Sequence, residues 1–72
     1  MELYYHVVHF NRGKKCKFSF CFSGDLKDYI IGNAVVNLNT TLRKAEFDEK
    51  SDTRLKEAEK KYIVKNVLKH IS

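Results

Sequence analysis

The sequence predicts an α+β domain: an N-terminal β-hairpin, a short helix, a third strand, and a long C-terminal helix packed on a small antiparallel sheet. Three observations carry this. Two aromatic and β-branched runs with period-two alternation flank a Gly-containing turn near the N-terminus. The last third of the chain repeats apolar residues at helical spacing. No Pro-, Gly- or Ser-rich linker and no internal repeat divides the chain, so residues 1–72 are read as one domain. A chain this short buries only about 60% of its unfolded surface, which leaves a marginal core that needs dense packing, a staple or a partner.

The hairpin comes first. Residues 3–10 and 15–22 flank Asn11-Arg12-Gly13-Lys14. A two-residue loop of Arg12 and Gly13 supplies a glycine for a positive-φ position. That register sets His9 opposite Cys16, Val7 opposite Phe18, Tyr5 opposite Phe20 and Leu3 opposite Phe22. Directly opposed residues share a face. Leu3, Tyr5, Val7, Phe18, Phe20 and Phe22 then form a core face. The other face holds Tyr4, His6, Val8, Phe10, Lys15, Lys17, Ser19 and Cys21, and is half apolar and half basic.

In the middle, Ser23 or Asp25 caps a short helix over residues 26–31, closed by Gly32. Residues 34–42 carry apolar residues or Thr at alternate positions and read as the third strand. A continuous helix over residues 25–45 competes, because Leu26, Ile30, Ala34, Leu38 and Leu42 recur at every fourth place. Gly32, Asn33, Val35, Val36, Thr40 and Thr41 weigh against it through poor helix propensity.

The C-terminal segment reads as a helix over residues 53–71, capped by Ser51 or Asp52, with Lys65 and Lys69 toward its negative end. Glu57 and Lys61 form a favourable i,i+4 pair. Ile63, Val64, Val67, Leu68 and Ile71 share one side, while Leu55, Ala58 and Tyr62 fall nearly opposite. Either the helix breaks near Tyr62 or its halves meet different partners, which makes Leu55, Ala58 and Tyr62 a candidate protein interface. Arg54, Lys61, Lys65 and Lys69 form a basic stripe along one edge. The expected core is Leu3, Tyr5, Val7, Phe18, Phe20, Phe22, Ile30, Ile63, Val67, Leu68 and Ile71.

The chain has a net charge of +5 and an isoelectric point near 9.3. Its two ends are basic and its middle is not. Eleven of the fourteen basic residues are Lys, a balance that fits AT-rich genomes of bacteria, phages and mobile elements. Lys is a point charge without the bidentate geometry of Arg, so a nucleic-acid contact is expected to be mostly to phosphate. Tyr4, His6 and Phe10 interleaved with Lys15 and Lys17 suit stacked, unpaired bases, so single strands are favoured. Arg12 and Lys14 extend that surface onto the turn, and Lys61, Lys65 and Lys69 offer a second phosphate track. No RNP consensus, GXXG loop or helix-turn-helix pattern is present.

The first expectation is therefore a small, basic, non-enzymatic nucleic-acid-binding module. The second is a protein-interaction factor (a regulator, inhibitor or adaptor) acting as a homodimer. The hairpin and the helix each have two partly apolar faces, more than one small chain can cover.

Other classes are disfavoured. Cys16 and Cys21 lie five residues apart on one strand, hence on opposite faces, and can neither chelate together nor pair. No closed metal-ligand set, and so no metal or other cofactor, is expected. Cys21 near Lys17 and His6 lacks an oriented base and a pocket, so neither catalysis nor a small-molecule substrate is expected. The start MELYYHVVHF has no signal-peptide pattern, and no apolar run reaches membrane length. A reduced, cytoplasmic protein without membrane contact is the expectation.

Overall fold

A computed structural model describes residues 1–24, 28–39 and 44–71. Four antiparallel strands, β1 (Glu2–Asn11), β2 (Lys15–Ser23), β3 (Tyr29–Asn37) and β4 (Ala45–Phe47), run in spatial order β1-β2-β3-β4. Two helices follow, α1 (Glu49–Arg54) and α2 (Glu57–Ile71). The architecture is α+β, with a hairpin, a small antiparallel sheet and a long C-terminal helix on it.

The hairpin pairs Leu3 with Phe22, Tyr5 with Phe20 and Val7 with Phe18, as the alternation requires. Near the turn the pairing differs from expectation. The loop holds three residues, Arg12, Gly13 and Lys14, and Asn11 pairs with Lys15. Lys14 N donates to Asn11 O at 2.9 Å, and Gly13 adopts φ 77°, where a Cβ is costly. The longer loop shifts the register by one, and a bulge between Val7 and His9 restores it. Phe10 thereby comes opposite the fully buried Cys16, and His9 comes opposite Lys17. So Phe10 belongs to the core side and His9 to the outer side, the reverse of their expected faces.

The short helix expected over residues 26–31 is not what forms where it can be seen. Tyr29, Ile30 and Ile31 open β3, and residues 25–27 lie outside the described residues. The third strand therefore starts five residues earlier than expected and ends at Asn37, while residues 40–42 of the expected strand lie outside the described set. The continuous helix is likewise excluded by β3. Paired β-branched residues Ile30, Ile31, Val35 and Val36 favour an extended chain, and β2 supplies its full partner. β4 was not anticipated; it adds Ala45, Glu46 and Phe47 opposite Val36, Val35 and Ala34.

Gly32 sits inside β3 opposite Phe20 and ends no helix. Its missing side chain makes room for α1. A Cβ there would meet Asp48 Oδ1 at 2.5 Å and both Ser51 Cβ and Oγ at 2.7 Å. Asp48, not Ser51 or Asp52, caps α1: its carboxylate accepts from Ser51 N, and Ser51 is buried one turn in. Asp48 Oδ1 also accepts Asn33 N at 2.7 Å, while Asp48 N donates to Asn33 O at 2.9 Å. One carboxylate thus caps a helix and satisfies a strand amide. Those contacts, the Ser51 hydroxyl first, hold the Asp48 carboxyl below the ordinary carboxylate range.

The helix expected over residues 53–71 is two helices. It breaks at Leu55 and Lys56, seven residues before Tyr62. Leu55 leaves helical geometry (φ −96°, ψ 139°) and turns into the core, where it is 6% exposed. Lys56 N donates to Glu59 Oε1 at 2.9 Å, half of a capping box that starts α2. The break accounts for Leu55, which it turns toward the same core as Ile63 and Val67; Ala58 and Tyr62 remain on α2, Ala58 exposed and Tyr62 half-buried.

Cys16, Phe18, Phe20, Phe22, Ala34, Val36, Leu55, Ile63 and Val67 form the buried core. Of the expected core, Phe18, Phe20, Phe22, Ile63 and Val67 are buried, and Leu3, Tyr5, Val7, Ile30, Leu68 and Ile71 are half-buried against it. Both helices contribute to that one layer. The opposite sheet face carries no described element.

Candidate nucleic-acid interface

The open sheet face is laid out by strand register. Reading across β1, β2 and β3, its rows are Glu2-Ser23-Tyr29, Tyr4-Cys21-Ile31 and His6-Ser19-Asn33. Beyond the bulge come His9-Lys17-Val35 and Asn11-Lys15-Asn37. Each row shares a face because opposed residues do. Alternation sends the core set of Phe18, Phe20, Phe22, Ala34 and Val36 to the helices and this set to solvent.

One end of the face is aromatic and apolar. Tyr4 is 62% exposed, Tyr29 46% and Ile31 75%. Glu2 accepts hydrogen bonds from both tyrosines, from Tyr29 Oη at 3.0 Å and Tyr4 Oη at 3.3 Å. Bonding to that carboxylate, and its charge, push the Tyr29 phenol above its ordinary value. A shallow cleft of about 330 Å³ is lined by Tyr4, His6, Ser19, Cys21 and Ile31 among others. The other end is basic. Lys15 and Lys17 are exposed on β2, His9 and Asn11 lie beside them on β1, and Arg12 and Lys14 are exposed in the turn. Along one strand, Lys15 to Cys21 spans about 20 Å at 3.3 Å per residue.

The structure thus brings Tyr4, His6, Lys15 and Lys17 onto one open face with Arg12 and Lys14 at its rim. It removes Phe10, still 42% exposed, to the other side. It adds His9, Tyr29 and Ile31, which sequence reasoning missed. The alternation of Ile30, Gly32, Ala34 and Val36 against Tyr29, Ile31, Asn33 and Val35 was the available signal, hidden by the helix-like capping pattern around them.

Lys61, Lys65 and Lys69 are exposed on α2, in the layer behind the sheet, and do not join this face. Lys61 and Lys65 instead line a groove of about 530 Å³ between α2 and β4, with Lys44, Phe47 and Val64. Arg54 belongs to α1 and drops out of the stripe. Lys60 is engaged with Asp52 and, at 3.4 Å, with Glu57.

Of the expected protein interface, Leu55 is in the core and Tyr62 is half-buried with its ring 5.9 Å from Phe22; Ala58 alone is exposed. Leu55 and Tyr62 are occupied within the chain. The thiols also separate as expected: Cys16 is fully buried, and burial pushes its pKa up, while Cys21 is half-buried on the open face. Lys17 is four residues from Cys21 along the strand, about 13 Å away. Among the described residues, no three His, Cys, Asp or Glu side chains converge on a metal position. No helix among them is long and apolar enough to cross a membrane.

Fold and face together define a class: a four-stranded antiparallel meander covered by two helices on one side, with none of the described residues covering the other. No family model matches the chain, and no curated protein or solved structure matches it.

Proposed function

We propose that this chain is a non-enzymatic module that binds single-stranded nucleic acid on its open sheet face. The observation that carries the reading is the placement of exposed Tyr4 and Tyr29, with His6 and His9, on the same face as Lys15 and Lys17. Aromatic rings on a solvent-exposed sheet offer stacking platforms, and lysines along the same strands neutralise phosphates. A duplex keeps its bases stacked internally and would use only the lysines. Glu2 at the tyrosine end disfavours a phosphate there, so the backbone is expected to run over the lysine end and the turn.

The test is titration of labelled single-stranded RNA, single-stranded DNA and duplex DNA across a salt series. The reading expects single strands to bind more tightly than duplex, with affinity falling as salt rises by about 0.7 log unit per phosphate neutralised. Tyr4→Ala removes a stacking platform and is expected to weaken binding by about 5- to 150-fold, from about 1–3 kcal/mol per base. Equal, weak binding to all three nucleic acids would overturn the reading.

A second reading, a protein-interaction factor acting as a dimer, is favoured by one observation. Met1, Tyr4, Val8 and Phe10, all on or beside β1, are four of the six large hydrophobic residues exposed among the described residues.

A further inference from the structure

We infer that the free edge of β1 is a pairing surface for the β1 edge of a second copy of this chain. β1 lies at one border of the sheet and pairs only with β2 among the described residues. Over residues 2–7, before the bulge, alternate residues turn their N–H and C=O groups outward and form a template for another strand. Sheets normally blunt such an edge with lysine, proline or a very short strand. The opposite border does so: β4 has three residues and is flanked by Lys44. β1 does not. The chain has eleven lysines, and none lies in its first thirteen residues; it has no proline at all. The one device present is the bulge at Val8, which leaves residues 2–7 in regular register.

Charge and surface select the occupant. A chain of net charge +5 repels its copies wherever lysines face each other. No lysine stands on β1, whereas its neighbour β2 carries Lys15 and Lys17, so two copies that meet along β1 oppose no lysines on the joining strands. The strand holds no lysine or arginine to select an acidic peptide, and Leu3, Tyr5 and Val7 give its core-side border an apolar lining. Leu3, Tyr5 and Val7 are half-buried against the core, with the Tyr5 ring 5.8 Å from that of His70 on α2, and no described strand pairs with β1 on its outer side. Side-chain alternation permits only registers in which core-face residues meet core-face residues. Leu3, Tyr5 and Val7 of one copy would therefore cover the same set of the other around a two-fold axis, the commonest symmetry. The product is one eight-stranded sheet. If the nucleic-acid reading holds, on which this last consequence rests, the two open faces join with Tyr4 and His6 near the seam and a lysine end on either side.

The experiment is sedimentation equilibrium of the full chain at 10–200 µM (about physiological salt, roughly 150 mM), with amide exchange followed residue by residue. The expected result is reversible association to twice the 8.5 kDa chain mass. Amide protection should run through consecutive residues 2–7 and rise with concentration. A monomer at all concentrations, with every second β1 amide exchanging freely, overturns the inference. Val7→Lys puts an inward-pointing lysine on the edge and is expected to raise the dissociation constant at least tenfold. Leu3→Lys, closer to the strand end, gives the same readout if Val7→Lys proves unfolded by circular dichroism. Association unchanged in a folded variant also overturns it. Nucleic-acid titration of the same samples is a separate readout: a dimer that binds no nucleic acid refutes the functional reading alone.

Discussion

Gly32→Ala is a one-methyl substitution in a strand, where alanine would ordinarily be neutral or stabilising by about 0.4–1 kcal/mol through the unfolded state. Here the new Cβ would stand 2.5 Å from Asp48 Oδ1 and 2.7 Å from Ser51. Neither neighbour can yield cheaply. Ser51 is buried at 1% exposure, and Asp48 is held by Asn33 N and the start of α1. Relief requires the first turn of α1 to lift off β3. That breaks the charge-assisted Asn33–Asp48 bond, worth about 1.5–3 kcal/mol, and adds about 1–3 kcal/mol for overpacking. Allowing for partial relaxation, the expected loss is about 3 kcal/mol, against a total stability of about 4–11 kcal/mol for a domain this size. Thermal unfolding should shift down by about 10–25 °C at about 4–8 °C per kcal/mol. Urea unfolding followed by circular dichroism gives the free energy directly. A Gly32→Ala protein as stable as the parent, or more stable, refutes the docking of α1 on β3.

Asp48→Ala removes both the helix cap, about 0.5–2 kcal/mol, and the charge-assisted bond from Asn33 N, about 1.5–3 kcal/mol, and is expected to cost about 2–5 kcal/mol in the same urea transitions. Because the folded-state pKa of Asp48 is lowered from 3.8, its stabilisation is present above about pH 4 and lost as pH falls through the folded value. The variant should therefore show a shallower acid dependence than the parent. Glu2→Gln removes the carboxylate that raises Tyr29, so ultraviolet titration should show that phenol ionising at lower pH, back toward 10.0. Leu55→Ala should cost about 2–5 kcal/mol as a core truncation and leave sedimentation of the folded protein unchanged; a variant of unchanged stability would return Leu55 to the surface.

The N-terminal hairpin was legible because six of its inward residues, Leu3, Tyr5, Val7, Phe18, Phe20 and Phe22, are large and strictly alternate. The bulge was not, since Arg12-Gly13 and Arg12-Gly13-Lys14 are both reasonable loops and nothing local chooses between them. That single-residue ambiguity reversed the faces of His9 and Phe10. Ile30 to Val36 misled for a different reason. Gly32 resembles a helix stop locally, but its use is tertiary, as the seat of Asp48 and Ser51. The same tertiary contact explains the misplaced cap: Ser51 and Asp52 are both good capping residues, and only the proximity of Asn33 favours Asp48. The two-sided C-terminal helix was visible as a conflict in the apolar pattern. Its resolution, a break that buries Leu55, depends on the sheet beneath it. For the candidate site, Tyr4, His6, Lys15 and Lys17 followed from hairpin alternation alone. Tyr29 and Ile31 required knowing that β3 pairs with β2 along its whole length.

The central claim is that the open sheet face, and not the α2 lysines, is the binding surface. It is tested most directly by comparing two double variants of equal charge change, Lys15→Ala/Lys17→Ala and Lys61→Ala/Lys65→Ala, for affinity to a single-stranded RNA at fixed salt. The account predicts that the sheet pair weakens binding at least tenfold and lowers the salt slope by about 1.4, two phosphates at about 0.7 each, while the helix pair changes affinity less than threefold. Equal losses from the two pairs, or a larger loss from the helix pair, would contradict it.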